Sequence, residues 1–360
     1  MRTTPRVDMQ RLERVAIVKL SSIGDVVHAL PVASALKRSF PHLQITWITE
    51  ERCAEMVTGN PYVHEVLTIP GKAWRHRAWD PRTWQEVHRQ VSLLRSRRFQ
   101  MTIDLQGLLK SAVVAWLTGA PIRIGYHWQR EGAWLFNRVV PKEPTSVHVV
   151  QEYLDVARFL GADTEPVEFP LYIPPEADER VRRLLQEEGI PSAEGFISIN
   201  PSAGQPFKRW RTERWAELIS QIDHQYHLPV VLVGGKADRP LADDIRARTS
   251  APFVDMVGRT NLKELAAILR RSLLHICGDT GSAHISVALS KPVIGLYGPT
   301  NHLRTSPYGQ EHRLITHKDR CPVCNGAKPR REHSDCMDMI TVSEVVQMVE
   351  RTLLEVMTHA

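Results

Sequence analysis

No uninterrupted apolar run in this 360-residue chain is long enough to span a bilayer. The opening residues, Met1 to Glu13, are polar and charged, without the apolar stretch of a secretion signal. Cysteine is scarce. Of the five, Cys53 and Cys277 lie in apolar surroundings and read as reduced core residues, which excludes a disulfide-stapled secreted scaffold. Cys321, Cys324 and Cys336 lie close together, but no second C-x-x-C accompanies Cys321–Cys324. The sequence has no G-x-G-x-x-G, so the dinucleotide fingerprint of many oxidoreductases is missing. No short-period repeat suggests a solenoid. The charge excess is small, +6 with a pI near 9.1, which suits a soluble protein with an anionic small partner and gives no case for nucleic acid. A cytoplasmic protein is the expectation.

What is present is a repeated alternation. In the first half, β-rich runs at 15–20, 45–49, 66–69, 101–105 and 122–126 alternate with helical patterns at 25–39, 51–58, 82–97, 107–118 and 147–160, the last ending at Gly161. Pro166, Pro170, Pro174 and Pro175 then read as a linker. The alternation restarts with strands at 195–199, 229–233, 253–256, 273–277 and 293–297, and helices at 212–226, 239–248, 261–270 and 281–289. This pattern predicts an α/β protein of two doubly wound, Rossmann-like domains, at 1–165 and 195–340, joined by a linker at 166–194. A final helix near 342–357, with Val342, Val345, Val346, Val349, Leu353 and Val356 on one stripe, is expected to return and pack on the first domain.

Three motifs follow strands, where α/β proteins place ligands. The first is "KLSSIGDVVHALP", with Gly24 and Asp25. Glycine admits a close ligand, but Asp25 reads equally well as an acidic residue in a helix first turn. The second is "GDTGSAH", where Asp279, Thr280, Gly281, Ser282 and His284 open a helix whose free N–H groups suit an anion. Against this, Asp279 reads as a cap and His284 as a core histidine. The third is "NPSAGQPFKRW", where Lys208 offers a point charge to a phosphate or simply sits in solvent.

Together with "KAWRHR", "IDLQGLLKSA", "GYHWQREGAWLFNR" and "GDTGSAHISVALSKPVIGLYGPT", these stretches resemble glycosyltransferase family 9, the lipopolysaccharide heptosyltransferases, and among them most closely the first heptosyltransferases. The resemblance implies a GT-B fold, an inverting enzyme without a metal cofactor, and heptose transfer from ADP-heptose to the lipopolysaccharide inner core. It makes Asp25 the general base. It gives donor contacts to Ser202, Ala203, Lys208, Asp238, Asp279, Thr280, Gly281 and His284. It gives acceptor contacts to Gly24 and to the basic cluster Lys72, Arg75, His76 and Arg77, which is interleaved with Trp74 and followed by Trp79. It also implies peripheral contact with the cytoplasmic face of the inner membrane. The plainer alternative for the basic cluster is a solvated loop.

Cys321, Cys324, His333 and Cys336 depart from the first-heptosyltransferase pattern and form a candidate zinc set, with reduced surface cysteines as the more ordinary alternative. Within the family, a second-type heptosyltransferase or another nucleotide-sugar donor stays open. Outside it, the open alternatives are a nucleotide-binding oxidoreductase, disfavoured by the missing glycine fingerprint, and a zinc-linked interaction protein.

Overall fold

The computed structural model describes residues 7–70, 81–326 and 332–358, the side chains of 81–83 aside. The chain forms two compact units, Met1–Tyr172 and Ile173–Ala360.

In the first unit the strands are β1 (Arg14–Val18), β2 (Gln44–Glu50), β3 (Glu65–Ile69), β4 (Met101–Asp104), β5 (Ile122–Gly125) and β6 (Arg138–Val139). All pairings are parallel, in the order β3-β2-β1-β4-β5-β6. The helices of eight or more residues are α1 (Ile23–Ser39), α2 (Pro81–Ser96), α3 (Leu109–Leu117) and α4 (Val149–Phe159). The run Val15-Ala16-Ile17-Val18 is wholly buried, as a parallel strand covered on both faces must be. Helix α1 is buried around most of its circumference, and Pro41 lies just beyond its end. Gly161 has φ +86° and closes α4 through its N–H to the Arg158 carbonyl, 2.9 Å away, so the helix stops where the sequence places it.

The second unit repeats the plan. Its strands are β7 (Ile197–Asn200), β8 (Val230–Leu232), β9 (Val254–Asp255), β10 (Leu274–Gly278), β11 (Val293–Tyr297) and β12 (Leu314–Thr316), in the order β12-β11-β10-β7-β8-β9. Its longer helices are α5 (Pro175–Glu187), α6 (Thr212–Tyr226), α7 (Arg239–Arg248), α8 (Leu262–Arg271), α9 (Gly281–Ala288) and α10 (Val342–Thr358). Counted from its own first strand, this sheet has the same order as the first, the arrangement of dinucleotide-binding sheets. Strand order reverses between β1 and β4 and between β7 and β10. Crevices at the carboxyl ends of those pairs are where such sheets bind ligands.

Two expectations change. The stretch 166–194 is extended only in part. Pro175 occupies the first position of α5, where its fixed φ favours a helix, and Ala177, Val181 and Leu185 are buried at four-residue spacing. The prolines therefore start a helix of the second unit as well as ending the first. The final helix also differs. Val342, Val345, Val346, Val349 and Leu353 join the core of their own unit, with Trp210, Trp215 and Leu218. Trp210 and Trp215 meet edge to face with centroids 4.9 Å apart, and the Trp210 indole N–H donates to the Ile340 carbonyl at 3.0 Å, holding the entry to α10.

Candidate functional site

At the switch point of the first unit, the β1–α1 turn places Asp25 in the first turn of α1. The Ser22 N–H and hydroxyl both donate to Asp25 Oδ2, at 3.0 and 2.7 Å. Asp25 therefore does perform the structural task open to it, closing the helix start. Its side chain is only partly covered, whereas Gly24 beside it is buried.

Several groups brace this corner. The Gln106 side-chain oxygen accepts from the N–H groups of Leu20 and Ser21, at 3.2 and 3.1 Å. Lys110 donates to the Ser21 hydroxyl and to Glu50, at 3.2 and 3.1 Å. Burial works against the Glu50 carboxylate, but Lys110 and Arg52 outweigh it and hold the carboxyl below its usual range. Lys19 is buried. It donates to the Leu105 carbonyl and the Tyr153 hydroxyl, at 3.0 and 2.7 Å, and so ties β1 to α4. At the end of β4, burial raises the pKa of Asp104, although it accepts from Gln106, Gly107, Ser111 and Asn137. Gly107, at φ +69°, is forced: a Cβ there would lie 2.2 Å from the Trp128 carbonyl oxygen. Burial also pushes the Cys53 thiol up to about 11, so this cysteine stays a thiol.

The second unit places the other sequence-predicted residues around its own switch point. Ser202 and Ala203 follow β7, Asp238 follows β8, and Asp279 to His284 follow β10. The Ser202 hydroxyl donates to Asp238 Oδ1 at 2.6 Å, while the Gly235 N–H donates to Oδ2 at 2.8 Å. The Lys208 ammonium sits 2.7 Å from Asp279 Oδ2, which also accepts from the Thr300 hydroxyl at 3.0 Å. Lys318 in turn donates to the Thr300 carbonyl at 3.3 Å. Above this group α9 begins. Its N-cap, Thr280, makes no capping bond with its side chain, so the helix presents an uncapped positive end. His284 is buried in its first turn. Gly278 packs under the site, and a Cβ there would lie 3.5 Å from the Lys208 carbonyl oxygen and 3.8 Å from Ala203 Cβ.

Beneath these residues runs a buried polar chain that sequence reasoning missed. Ser198 meets His275 Nδ1 at 2.9 Å, His275 Nε2 meets Ser282 at 2.9 Å, and Asn200 donates to Ser282 at 3.0 Å and accepts from the Ser202 N–H at 3.0 Å. It fixes the loop after β7 against the start of α9. Burial pushes the His275 pKa down to about 3, from 6.5 for an exposed histidine. Between those values the unfolded chain binds a proton that the folded chain refuses. Stability therefore falls with decreasing pH below about 6.5, by up to about 1.4 kcal/mol per unit from this group. His275→Gln is expected to flatten that slope by about one proton equivalent in urea unfolding followed across the same range. An unchanged slope would assign the acid sensitivity to another group.

Thr300 and Lys318 were also missed. Thr300 lies inside the quoted "GLYGPT", but its link to Asp279 spans 21 residues and is not visible locally. Lys72, Arg75, His76 and Arg77 lie outside the described residues. A cavity of about 450 Å³ in the first unit opens at the amino ends of the strands, lined by Arg14, Gln44 and Glu65, away from the switch point.

The family model for glycosyltransferase family 9 (heptosyltransferase) matches residues 87–333. The chain is 27% identical to the lipopolysaccharide core heptosyltransferase OpsX of Haemophilus influenzae, covering 84% of each chain. It is 28% identical to lipopolysaccharide heptosyltransferase 1 of Pseudomonas aeruginosa, covering 86% of each. Other relatives carry the names heptosyltransferase 2 and 3, so the similarity reaches several types. Among solved structures, E. coli heptosyltransferase WaaC with ADP superposes with a TM-score of 0.74 at 23% identity, over 94% of this chain and 99% of that one.

Proposed function

Because the chain belongs to glycosyltransferase family 9 (heptosyltransferase) and is therefore a glycosyltransferase, we propose that it moves heptose from ADP-heptose to the lipopolysaccharide inner core, with Asp25 as general base. The supporting observation is the division of chemistry between two equivalent switch points. The first unit offers a part-exposed carboxylate at its switch point. The second offers a lysine and an uncapped helix N-terminus at its own.

In the proposed step Asp25 accepts the proton of an acceptor hydroxyl as that oxygen forms a bond to the anomeric carbon. The bond to the ADP oxygen breaks on the opposite face, and the centre inverts. The departing diphosphate gains charge, which Lys208 and the N-terminus of α9 stabilise. Asp279 holds Lys208 in place and presents its carboxylate to the sugar. Ser202 and Asp238 face the ribose. In this scheme the diphosphate charge is met by protein groups, so transfer needs no added divalent ion.

The test is a donor screen with purified protein and a truncated core acceptor, with and without EDTA. ADP-heptose should be the donor, EDTA should change the rate little, and the new glycosidic bond should have the inverted configuration. Preference for another nucleotide sugar would replace the donor assignment. Loss of activity in EDTA with recovery in Mg²⁺ would overturn the metal-free step.

The acceptor carries acyl chains, and among the described residues no helix is long and apolar enough to cross a membrane. Docking is therefore proposed to be peripheral, at the cytoplasmic face of the inner membrane, through Lys72, Arg75 and Arg77, with His76 between them. Each basic residue near an anionic surface is worth about 1 kcal/mol, and salt screens it. Replacing the three with alanine is expected to raise the acceptor KM and flatten its salt dependence, with donor KM unchanged. An unchanged acceptor KM would leave the cluster as solvated surface.

A further inference from the structure

Cys321, Cys324, His333 and Cys336 lie outside the transfer chemistry, yet they converge. Their ligand atoms all lie within 4.8 Å of one another. Cys324 Sγ is 3.3 Å from Cys336 Sγ and 3.3 Å from His333 Nε2, and Cys336 Sγ is 4.0 Å from the same nitrogen. All three cysteines are free. A tetrahedron with metal–sulfur bonds of about 2.3 Å has sulfur–sulfur edges of about 3.8 Å and sulfur–nitrogen edges of about 3.5 Å. The observed separations scatter around those edges.

Three further features go beyond a chance cluster. Cys321, Cys336 and His333 are buried, so their polar atoms need partners within the protein. His333 turns Nε2 toward the sulfurs while Nδ1 meets Asp335 at 3.0 Å, the carboxylate–histidine relay that orients metal ligands. The arms are also anchored apart from any ion. Arg211 pairs with Asp338 at 2.6 and 3.0 Å, and Arg214 donates to the Met337 and Asp338 carbonyls at 3.3 and 2.8 Å.

We propose that Cys321, Cys324, His333 and Cys336 bind one zinc ion in a closed tetrahedral Cys₃His site that fixes the donor-side loops. Three thiolates and an imidazole suit zinc, and four protein ligands leave no position for a substrate. The role follows from the neighbours. Lys318, three residues before Cys321, holds the Thr300 carbonyl, and Thr300 holds Asp279. Met337, next to Cys336, packs so closely on Gly298 that a Cβ there would fall 2.9 Å from its Cγ. The ion thus clamps both flanks of the loop after β11, and it takes no part in bond making.

The test is the metal content of the full chain purified without added metal. Wild type should carry about one zinc per chain, and Cys324→Ser should fall to about a tenth of that or less. Cys53→Ala, in the other unit, should keep its zinc. If Cys324→Ser does not fold, Asp335→Ala provides the second reading, since loss of the orienting carboxylate should weaken zinc about 10–100-fold in chelator competition. Wild type without stoichiometric metal, iron in place of zinc, a Cys324–Cys336 disulfide, or zinc that Cys53→Ala removes would each overturn the assignment.

Discussion

Asp25→Asn is expected to lower turnover by about 10²–10⁴-fold, the range for one lost acid–base group, while ADP binding and thermal stability stay near wild type. The choice of asparagine matters because Asp25 has two tasks. Its Oδ2 accepts from the Ser22 N–H and hydroxyl, so removal of the whole side chain costs helix capping as well as any basicity. Asparagine keeps a side-chain oxygen for those donors and loses the basic carboxylate. Asp25→Ala should add a stability loss of about 0.5–2 kcal/mol, the usual worth of a capping contact. Steady-state kinetics and thermal melts on the two variants separate the tasks. If Asp25→Asn turned over near the wild-type rate, Asp25 would be a helix cap alone and the base would have to be sought elsewhere.

Lys208→Ala is expected to cost about 10²–10³-fold in kcat/KM for the donor, comparable to removing one preorganised donor from a charge-stabilising site. It deletes the cation proposed to face the leaving diphosphate and leaves Asp279 accepting from the Thr300 hydroxyl. An unpaired carboxylate beside a diphosphate repels it, so part of the loss should appear as weaker ADP binding by calorimetry. Lys208→Ala with Asp279→Asn should recover some ADP affinity relative to Lys208→Ala alone, because the two side chains are in contact and their effects should not add. Wild-type ADP affinity in Lys208→Ala would move the phosphate charge to another group.

The sheets were legible because fully covered parallel strands read as unbroken apolar runs, and Val15–Val18 and Val230–Val233 are such runs. Helix ends were legible where chemistry marks them, as at Gly161. Helix α5 was hidden by its prolines, since Pro174 and Pro175 signal a break as readily as a start. The partner of α10 was hidden for another reason. A stripe of valines shows that one face is covered but carries no information about what covers it. The residues proposed to hold the donor were legible one motif at a time, each at a strand end. The His275 relay and the Thr300–Lys318 link were not, because each contact joins segments that only the sheet order brings together.

The corrected place of α10 bears on descent. Each unit keeps its own sheet and its own switch point, and the last helix completes the core of the unit that precedes it in sequence. One recombination between Tyr172 and Ile173 therefore exchanges a whole hydrophobic core together with the apolar stripe of its last helix. Had α10 belonged to the first unit, the same exchange would have required two breakpoints. The layout lets lineages inherit the half proposed to hold the acceptor and the half proposed to hold the donor from different parents, so that new sugar-to-acceptor pairings arise from a single crossover.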